Sequence, residues 1–168
     1  MQKVAVITGS HKGLGYAIAR QLAQNAEIRV VLTSRSQQDG LAAQQRLANE
    51  HLSTDYHPLD VTSDASVQQL TTWLQQTYDR VDILVNSAGI NPTSQPEESG
   101  WQTVQLATLL STWETNVLAV ARMIQAFMPW MQRQNYGRIV NVSTEMASLA
   151  SMAQDYYPLA PSYRLSKV

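Results

Sequence analysis

The amino-acid sequence predicts an α/β fold built on a doubly wound parallel sheet. Short apolar runs of strand-forming residues alternate along the chain with stretches whose apolar residues have helical spacing. The first run, Val4 to Ile7, leads through a glycine-rich turn directly into a helix. This run has no polar residue, which is typical of a central parallel strand covered on both faces.

Composition narrows the class of protein. The chain has 168 residues, of which 44% are hydrophobic and 15% charged, with a net charge of −1 and no cysteine. These values predict a single globular domain over residues 1–168, with no nucleic acid, membrane or metal as partner. The absence of cysteine excludes disulfides and thiolate metal sites, and no apolar run approaches the ~20 residues of a membrane helix. We therefore expect a soluble, cytoplasmic protein.

The glycine-rich turn is the first candidate site. Residues 8–15 read TGSHKGLG, and such turns use glycine for positive φ, for close approach of backbone to a pyrophosphate and for helix-on-strand packing. Unpaired N–H groups at the start of the following helix supply an anion site. An ordinary strand-to-helix loop is the alternative, since the spacing is not G-x-G-x-x-G. The predicted cofactor-binding residues are Gly9, Ser10, His11, Lys12, Gly13, Leu14 and Gly15.

The end of the second strand predicts which dinucleotide binds. A helix ending near Asn25 and a strand over 28–33 follow the turn, and Arg35 then lies twenty residues beyond Gly15. A site for NAD has Asp or Glu about 20 residues after the glycines, whereas arginine suits a 2′-phosphate. Lys12 adds a second cation. Either charge alone could be a solvated surface residue, but together they favour NADP(H).

The middle of the chain continues the alternation. A helix over 38–50 should place Leu41 and Leu47 inward, and a strand follows over 54–59. The next helix, capped by Thr62 or Ser63, carries apolar residues on one face. A fourth strand over 81–85 and a surface loop over 91–100 complete this part. The inward residues of the capped helix are Val67, Leu70, Leu74 and Tyr78.

A long helix is predicted from about Leu106. Its apolar residues are three and four apart, which is typical of core packing and equally suits association between subunits. A homo-oligomer through the 106–131 helix is thus one of two interpretations, and Asn116 is a polar residue within this stretch. The stripe comprises Leu110, Trp113, Val117, Val120, Ile124, Phe127 and Met131.

The last two features carry chemistry. A fifth strand over 137–143 ends in Ser143 and Thr144, and the pattern Y-x-x-x-K follows at Tyr163 to Lys167. A spacing of i,i+4 places the phenol and the ammonium group on the same helix face. A cation nearby favours the ionised form of a phenol.

Taken together, five motifs resemble those of the short-chain dehydrogenase/reductase family, in that family's order and over most of the chain. The resemblance implies a Rossmann-type sheet of order 3-2-1-4-5, with the family's usual last two strands absent from this chain, and an NADP-dependent carbonyl reductase or alcohol dehydrogenase. The five motifs are TGSHKGLG, Asp60 in HPLDVTS, Asn86-Ser87-Ala88-Gly89, Ser143-Thr144 and Tyr163-x-x-x-Lys167.

The resemblance also implies the roles of single residues in binding the cofactor. Asp60 would meet the adenine with Val61 beside it, although Asp60 could equally be a turn or cap residue. The segment from Asn86 through Ala88 to Gly89 would lie along the ribose and nicotinamide.

Four residues would be catalytic by the same resemblance. Asn116 would hold a water of the proton relay, Thr144 would polarise the substrate carbonyl and Tyr163 would protonate it. Lys167 would bind the nicotinamide ribose and promote ionisation of Tyr163. Threonine stands where the family commonly has a second serine, so Ser143 is the fallback hydroxyl.

The segment over 145–162 is expected to form a loop and wall over an apolar carbonyl substrate. The chain ends one residue past Lys167, whereas family members continue, so a non-catalytic dinucleotide-binding or oligomerisation module is the alternative function. The wall residues are Met146, Met152, Tyr156, Tyr157, Pro158 and Pro161.

Overall fold

The computed structural model describes residues 2–92, 101–148 and 160–167. Its centre is one sheet of five strands in the order β3-β2-β1-β4-β5, and every neighbouring pair is parallel. The strands are β1 (Lys3–Ile7), β2 (Ile28–Ser34), β3 (Thr54–Pro58), β4 (Ile83–Asn86) and β5 (Arg138–Asn141). The predicted Rossmann-type order is therefore confirmed.

Helices connect the strands. A π-helical turn, Glu114–Leu118, joins the helices Leu106–Trp113 and Ala119–Arg133. Short 3-10 turns lie at Trp101–Thr103 and Glu145–Ala147. The cap predicted before the helix Asp64–Thr77 is Ser63, whose hydroxyl accepts a hydrogen bond from the Ser66 N–H at 3.3 Å. The helices are α1 (Gly13–Ala23), α2 (Gln37–Asn49), α3 (Asp64–Thr77), α4 (Leu106–Trp113), α5 (Ala119–Arg133) and α6 (Pro161–Leu165).

The core lies on both faces of the sheet, because successive strand residues point to opposite sides. Val4 and Val6 of β1 pack with α3 and α5 on one face. Ala5 and Ile7 pack with α1 and α2 on the other. All four side chains are at most 2% exposed, so β1 is the central buried strand that its apolar sequence predicted.

One prediction about α2 is wrong. Leu47 is buried, but Leu41 is 46% exposed. The helix turns Gly40 and Ala43 inward instead, and a Cβ on Gly40 would lie 1.9 Å from the Tyr56 ring. The close approach to Tyr56 fixes the helix rotation, which leaves Leu41 on the solvent side.

The long helix is also only partly as predicted. Phe127 and Met131 are buried in α5, but Leu110 and Trp113 of α4 are 69% and 41% exposed. Thr112 faces the interior in their place. The intervening π-helical turn has a wider backbone repeat, so one stripe of 3-4 spacing does not stay on one face along the whole length.

Strand β5 differs from the other four. It is shorter than predicted, and each of its residues is exposed, with Val140 at 47%. The predicted wall residues Met152, Tyr156, Tyr157 and Pro158, and most of the predicted 91–100 loop, lie outside the described residues. Within the described ranges, no helix has the length and hydropathy needed to cross a membrane.

Candidate active site

A cavity of about 440 Å³ lies at the carboxyl ends of the strands. Open parallel sheets bind ligands at this edge, where the chain connections diverge to opposite faces. Other lining residues include Ser34, Leu59, Thr62, Ser87, Ile90, Thr115, Val142 and Ser143. The predicted site residues that line it are Gly9, His11, Lys12, Gly13, Leu14, Gly15, Arg35, Asp60, Val61, Ala88, Gly89, Thr144 and Tyr163.

The glycine turn needs its glycines for two different reasons. Gly9 and Gly13 have φ of +64° and +58°, a region that residues with a Cβ rarely adopt. A Cβ on Gly9 would also lie 2.9 Å from the Ala88 Cα, and one on Gly15 would lie 2.7 Å from the Gly9 carbonyl oxygen. The turn is therefore packed backbone against backbone, and one wall of the cavity is peptide.

Ser10 does not line the cavity. Its side chain is fully buried, and its oxygen lies 3.0 Å from the Ile7 carbonyl and accepts from the Thr33 N–H at 2.9 Å. These bonds join the ends of β1 and β2. The structure thus gives the Ser10 side chain a place beneath the turn.

Positive charge collects at one end of the cavity. Lys12 and Arg35 both line it and are exposed. Burial and then the Lys12 charge lower the pKa of His11, and Arg35 acts in the same direction while Asp39 opposes it. One lysine and one arginine side chain beside a turn rich in N–H groups form an anion site.

Asp60 both lines the cavity and forms part of a turn, the two alternatives that the sequence left open. It lines the cavity, and its carboxylate accepts from the Thr62 N–H at 2.9 Å and the Thr62 hydroxyl at 2.7 Å. Burial favours a higher pKa for Asp60, but the Thr62 hydrogen bonds and the charges of Arg35 and Arg122 together hold it below its ordinary value. The residue is both a turn residue and an ionised group at the cavity wall.

Asn86 lies under the cavity and is not part of its lining. Its Nδ2 donates to the Asn141 Oδ1 at 2.9 Å, which links the ends of β4 and β5. Its own Oδ1 is buried and has no hydrogen-bond partner among the described residues.

Asn116 and Lys167 also lie behind the lining. Asn116 accepts from the Ile90 N–H at 2.9 Å, and its Nδ2 donates to the Ile90 carbonyl at 2.9 Å and the Ser166 hydroxyl at 2.8 Å. Both Nδ2 hydrogens are thereby used. The Lys167 ammonium donates to the Val142 carbonyl at 3.1 Å, and burial lowers its pKa.

Asn116 reaches this place because it sits in the π-helical turn. Such single turns within α-helices are frequent at functional sites. The side chain is 5% exposed, and it ties the segment after β4 to Ser166 near the end of α6. Sequence reasoning missed Ser166, since the Y-x-x-x-K pattern leaves this position unspecified.

The two candidate hydroxyl groups after β5 differ in what they bind. The Ser143 hydroxyl donates to the Lys167 carbonyl at 3.2 Å, which commits its hydrogen. The Thr144 oxygen accepts from the Met146 N–H at 3.3 Å, a bond that leaves the hydroxyl hydrogen to donate elsewhere. Thr144 is therefore the better placed donor toward a molecule in the cavity.

Comparison with known proteins identifies the same kind of chain. A family model described as short chain dehydrogenase matches residues 3–167. A (+)-neomenthol dehydrogenase from Capsicum annuum is 33% identical over 181 residues, covering 88% of this chain and 57% of that protein. A carbonyl reductase [NADPH] 3 from Mus musculus is 34% identical over 142 residues, covering 84% and 49%. The chain thus spans about half the length of these relatives.

Solved structures show the same fold. A metagenomic short-chain oxidoreductase in complex with NADP has a TM-score of 0.83 at 27% identity, covering 98% of this chain and 70% of that one. An L-sorbose reductase from Gluconobacter frateurii, complexed with NADPH and L-sorbose, has a TM-score of 0.82 at 26% identity, covering 99% and 59%.

Proposed function

The chain belongs to the short-chain dehydrogenase family of oxidoreductases, and from that premise we propose that it transfers hydride between NADP(H) and a carbonyl or alcohol substrate. One observation carries the proposal. A single cavity joins a glycine turn flanked by Lys12 and Arg35 to the hydroxyl groups of Thr144 and Tyr163.

The shape of the cavity fits a dinucleotide. The backbone at Gly9 and Gly15 comes so close to neighbouring atoms that a Cβ would not fit, so the turn presents peptide groups to the cavity. The N–H groups of this turn would bind a pyrophosphate. Lys12 and Arg35 would bind a 2′-phosphate. The bound cofactor would supply or accept the hydride.

Asp60 and Val61 would lie against the adenine, and Ala88 and Gly89 along the nicotinamide half. Lys167 would hold the nicotinamide ribose, since its ammonium group lies next to Gly89. A Cβ built on Gly89 would be 3.6 Å from the Lys167 Nζ. The Oδ1 of Asn86, which has no hydrogen-bond partner among the described residues, is an acceptor next to this segment.

Proton transfer falls to the side chains at the other end. In reduction the substrate carbon gains hydride, and Tyr163 donates its phenolic proton to the substrate oxygen, which gives the alcohol. Thr144 would donate a hydrogen bond to the same oxygen while charge develops on it.

Cofactor titration followed by turnover tests the proposal. We expect NADPH to bind more tightly than NADH by ~1–3 kcal/mol, the range for hydrogen bonds to charged groups, and Arg35→Asp to narrow or reverse the preference. Fluorescence titration of both cofactors gives the affinities, and NADPH oxidation with a panel of ketones and quinones gives the activity. Equal affinity for the two cofactors in the unmodified protein would refute the assignment.

A non-catalytic dinucleotide-binding module is the second candidate. It is favoured by the placement of Asn116 and Lys167, two of the four predicted catalytic residues, behind the lining of the cavity. Tight NADPH binding without turnover of any carbonyl compound would support this candidate over the enzyme.

Association through the 106–131 segment is a further proposal. Leu106, Leu110 and Trp113 present exposed apolar side chains on α4. A second copy could cover them, and sedimentation velocity of the chain would detect the dimer.

A further inference from the structure

Arg46 makes a contact with the glycine turn that no sequence motif indicates. It lies on α2, and its guanidinium donates to the His11 carbonyl oxygen at 2.8 Å. The guanidinium carbon also lies 4.8 Å from the centroid of the Tyr16 ring on α1. One exposed side chain thus links α2, α1 and the turn.

The position of this hydrogen bond gives it consequences for Lys12. The His11 carbonyl and the Lys12 N–H belong to one planar peptide unit, so a bond that fixes the carbonyl also fixes the N–H. The next peptide is held as well, because the Lys12 carbonyl accepts from the Tyr16 N–H at 3.2 Å. Arg46 and Tyr16 therefore hold the backbone on both sides of Lys12.

Arg46 also belongs to the positive charge around the turn. Its charge acts on His11 together with those of Lys12 and Arg35, and Asp39 is the carboxylate that acts on His11 in the opposite sense. A phosphate bound at this end would be attracted by three cations. Arg46 differs from the other two, because it does not line the cavity.

We propose that Arg46 is a positioning residue for the 2′-phosphate of NADP(H): it holds the peptide between His11 and Lys12, and so places the Lys12 side chain at the phosphate. The proposal rests on the proposed binding of NADP(H) in this cavity. It predicts that Arg46 affects affinity for the 2′-phosphorylated cofactor more than affinity for NADH.

A matched control is available on the same pair of helices. Arg20 of α1 pairs with Glu50, just after α2, at 2.5 Å, and it is also exposed. The pair links α1 to the end of α2 without contact with the glycine turn. Arg20→Gln removes an arginine link of the same kind away from the cavity.

The test measures dissociation constants for NADPH and NADH in four proteins: unmodified, Arg46→Gln, Arg46→Lys and Arg20→Gln. We expect Arg46→Gln to reduce the ratio of NADPH to NADH affinity by roughly 3- to 10-fold, the factor for one hydrogen bond of ordinary net strength. Lysine keeps the charge but lacks the planar group that stacks and donates together, so Arg46→Lys should recover less than half of the lost preference. Arg20→Gln should leave the ratio unchanged.

Each contrary result has a distinct meaning. An unchanged ratio in Arg46→Gln, while the unmodified protein still prefers NADPH, overturns the role of Arg46 and leaves the proposed function intact. Full recovery in Arg46→Lys, or an equal loss in Arg20→Gln, overturns positioning through the His11 carbonyl. If the unmodified protein binds neither cofactor, the proposed function and this inference both fail.

Discussion

The two ends of the cavity are held in place by different means. The turn end, residues 8–15 with 34–35 and 59–62, is attached to β1 and β2, whose central residues are fully buried. The tyrosine end, residues 142–144 and 160–167, is attached to β5, which is exposed, and to the five-residue α6. The turn end is fixed by close backbone packing, whereas the tyrosine end is held by the packing of α6 against α4, with Pro161, Ser162 and Arg164 buried, and by a few side-chain bonds.

Three side-chain bonds hold the tyrosine end together, and the first of them connects it to the rest of the fold. They are the Asn116 to Ser166 bond at 2.8 Å, the Lys167 to Val142 bond at 3.1 Å and the Ser143 to Lys167 bond at 3.2 Å. A helix of five residues is marginal without such contacts. Substitutions at the two ends should therefore separate binding from turnover.

The largest expected effect is at Tyr163. Tyr163→Phe removes one oxygen and little volume, so turnover should fall by roughly 10²–10⁴-fold, the range for loss of a general acid or base. Cofactor affinity should change little, because the turn end is untouched. Stopped-flow reduction of a ketone and NADPH titration measure the two quantities.

Thr144 supplies the matched pair of variants for that result. Thr144→Ser keeps the hydroxyl and should retain activity, whereas Thr144→Val keeps the shape, loses the donor and should lower turnover. If Tyr163→Phe left turnover intact, the proton would come from another group, and the proposed roles at this end would be wrong.

The second-largest expected effect is the destabilisation of the turn end by substitution of its glycines. Gly9→Ala places a Cβ at positive φ and 2.9 Å from the Ala88 Cα, which is backbone and cannot move aside alone. Gly13→Ala has the same φ problem but no atom within 4 Å of its Cβ. We expect Gly13→Ala to cost ~1–2 kcal/mol of unfolding free energy and Gly9→Ala a further ~1–3 kcal/mol, with loss of NADPH binding.

Urea unfolding and NADPH titration of both variants measure this difference. Equal losses in the two proteins would mean that strain at positive φ, and not the contact with Ala88, is what requires glycine at position 9.

The same comparison explains which features the sequence could predict. The glycine turn, the apolar strands and the spacing from Gly15 to Arg35 are local patterns, and their positions in the sheet follow from the strand order. Bonds across the fold leave no local pattern. The Asn116 to Ser166 bond spans 50 residues and the Arg46 to His11 bond spans 35.

Which face of a helix is buried could also be predicted only in part from the sequence. Spacing gives the angle between two residues, but it does not say which side faces the core. Leu41 was predicted inward because leucine is apolar, yet Gly40 is inward because only a residue without a side chain fits against Tyr56. In α4 the buried polar Thr112, and after α4 the π-helical turn, reverse the expected exposure of Leu110.

A smaller effect tests how the tyrosine end is attached. Asn116→Ala removes the partner of the Ile90 N–H and carbonyl and of Ser166. Buried groups left unpaired cost ~1–3 kcal/mol, and we expect a loss of that size in unfolding free energy, with turnover reduced more than NADPH affinity. The control is Ser111→Ala, whose exposed hydroxyl bonds to the Thr108 carbonyl and should matter by less than ~0.5 kcal/mol. A larger loss of affinity than of turnover would contradict the proposed attachment.

The smallest effect distinguishes the two ends by pH. Burial lowers the pKa of His11 at the turn end and of His57 on neighbouring β3. Below the ordinary histidine pKa of about 6.5, the unfolded chain therefore binds protons more readily than the folded one, and stability falls as the pH falls. Lys167, whose pKa is also lowered, has the same sign of effect, but its window ends near the ordinary lysine value of about 10.4.

Melting temperatures below about pH 6.5 should thus report on His11 and His57, and those on the alkaline side, up to about pH 10.4, on Lys167 at the tyrosine end. His57→Gln and His11→Asn should each flatten the acid limb and leave the alkaline limb unchanged, because each removes one partly buried imidazole that resists protonation. His51→Asn is the control, since His51 is exposed and asparagine tolerates its positive φ of 60°.

NADPH should lessen the loss of stability at acid pH in the unmodified protein but not in His11→Asn, because a protonated His11 would face the 2′-phosphate. An acid limb of equal slope in all four proteins would show that neither the His11 nor the His57 imidazole controls stability in this range.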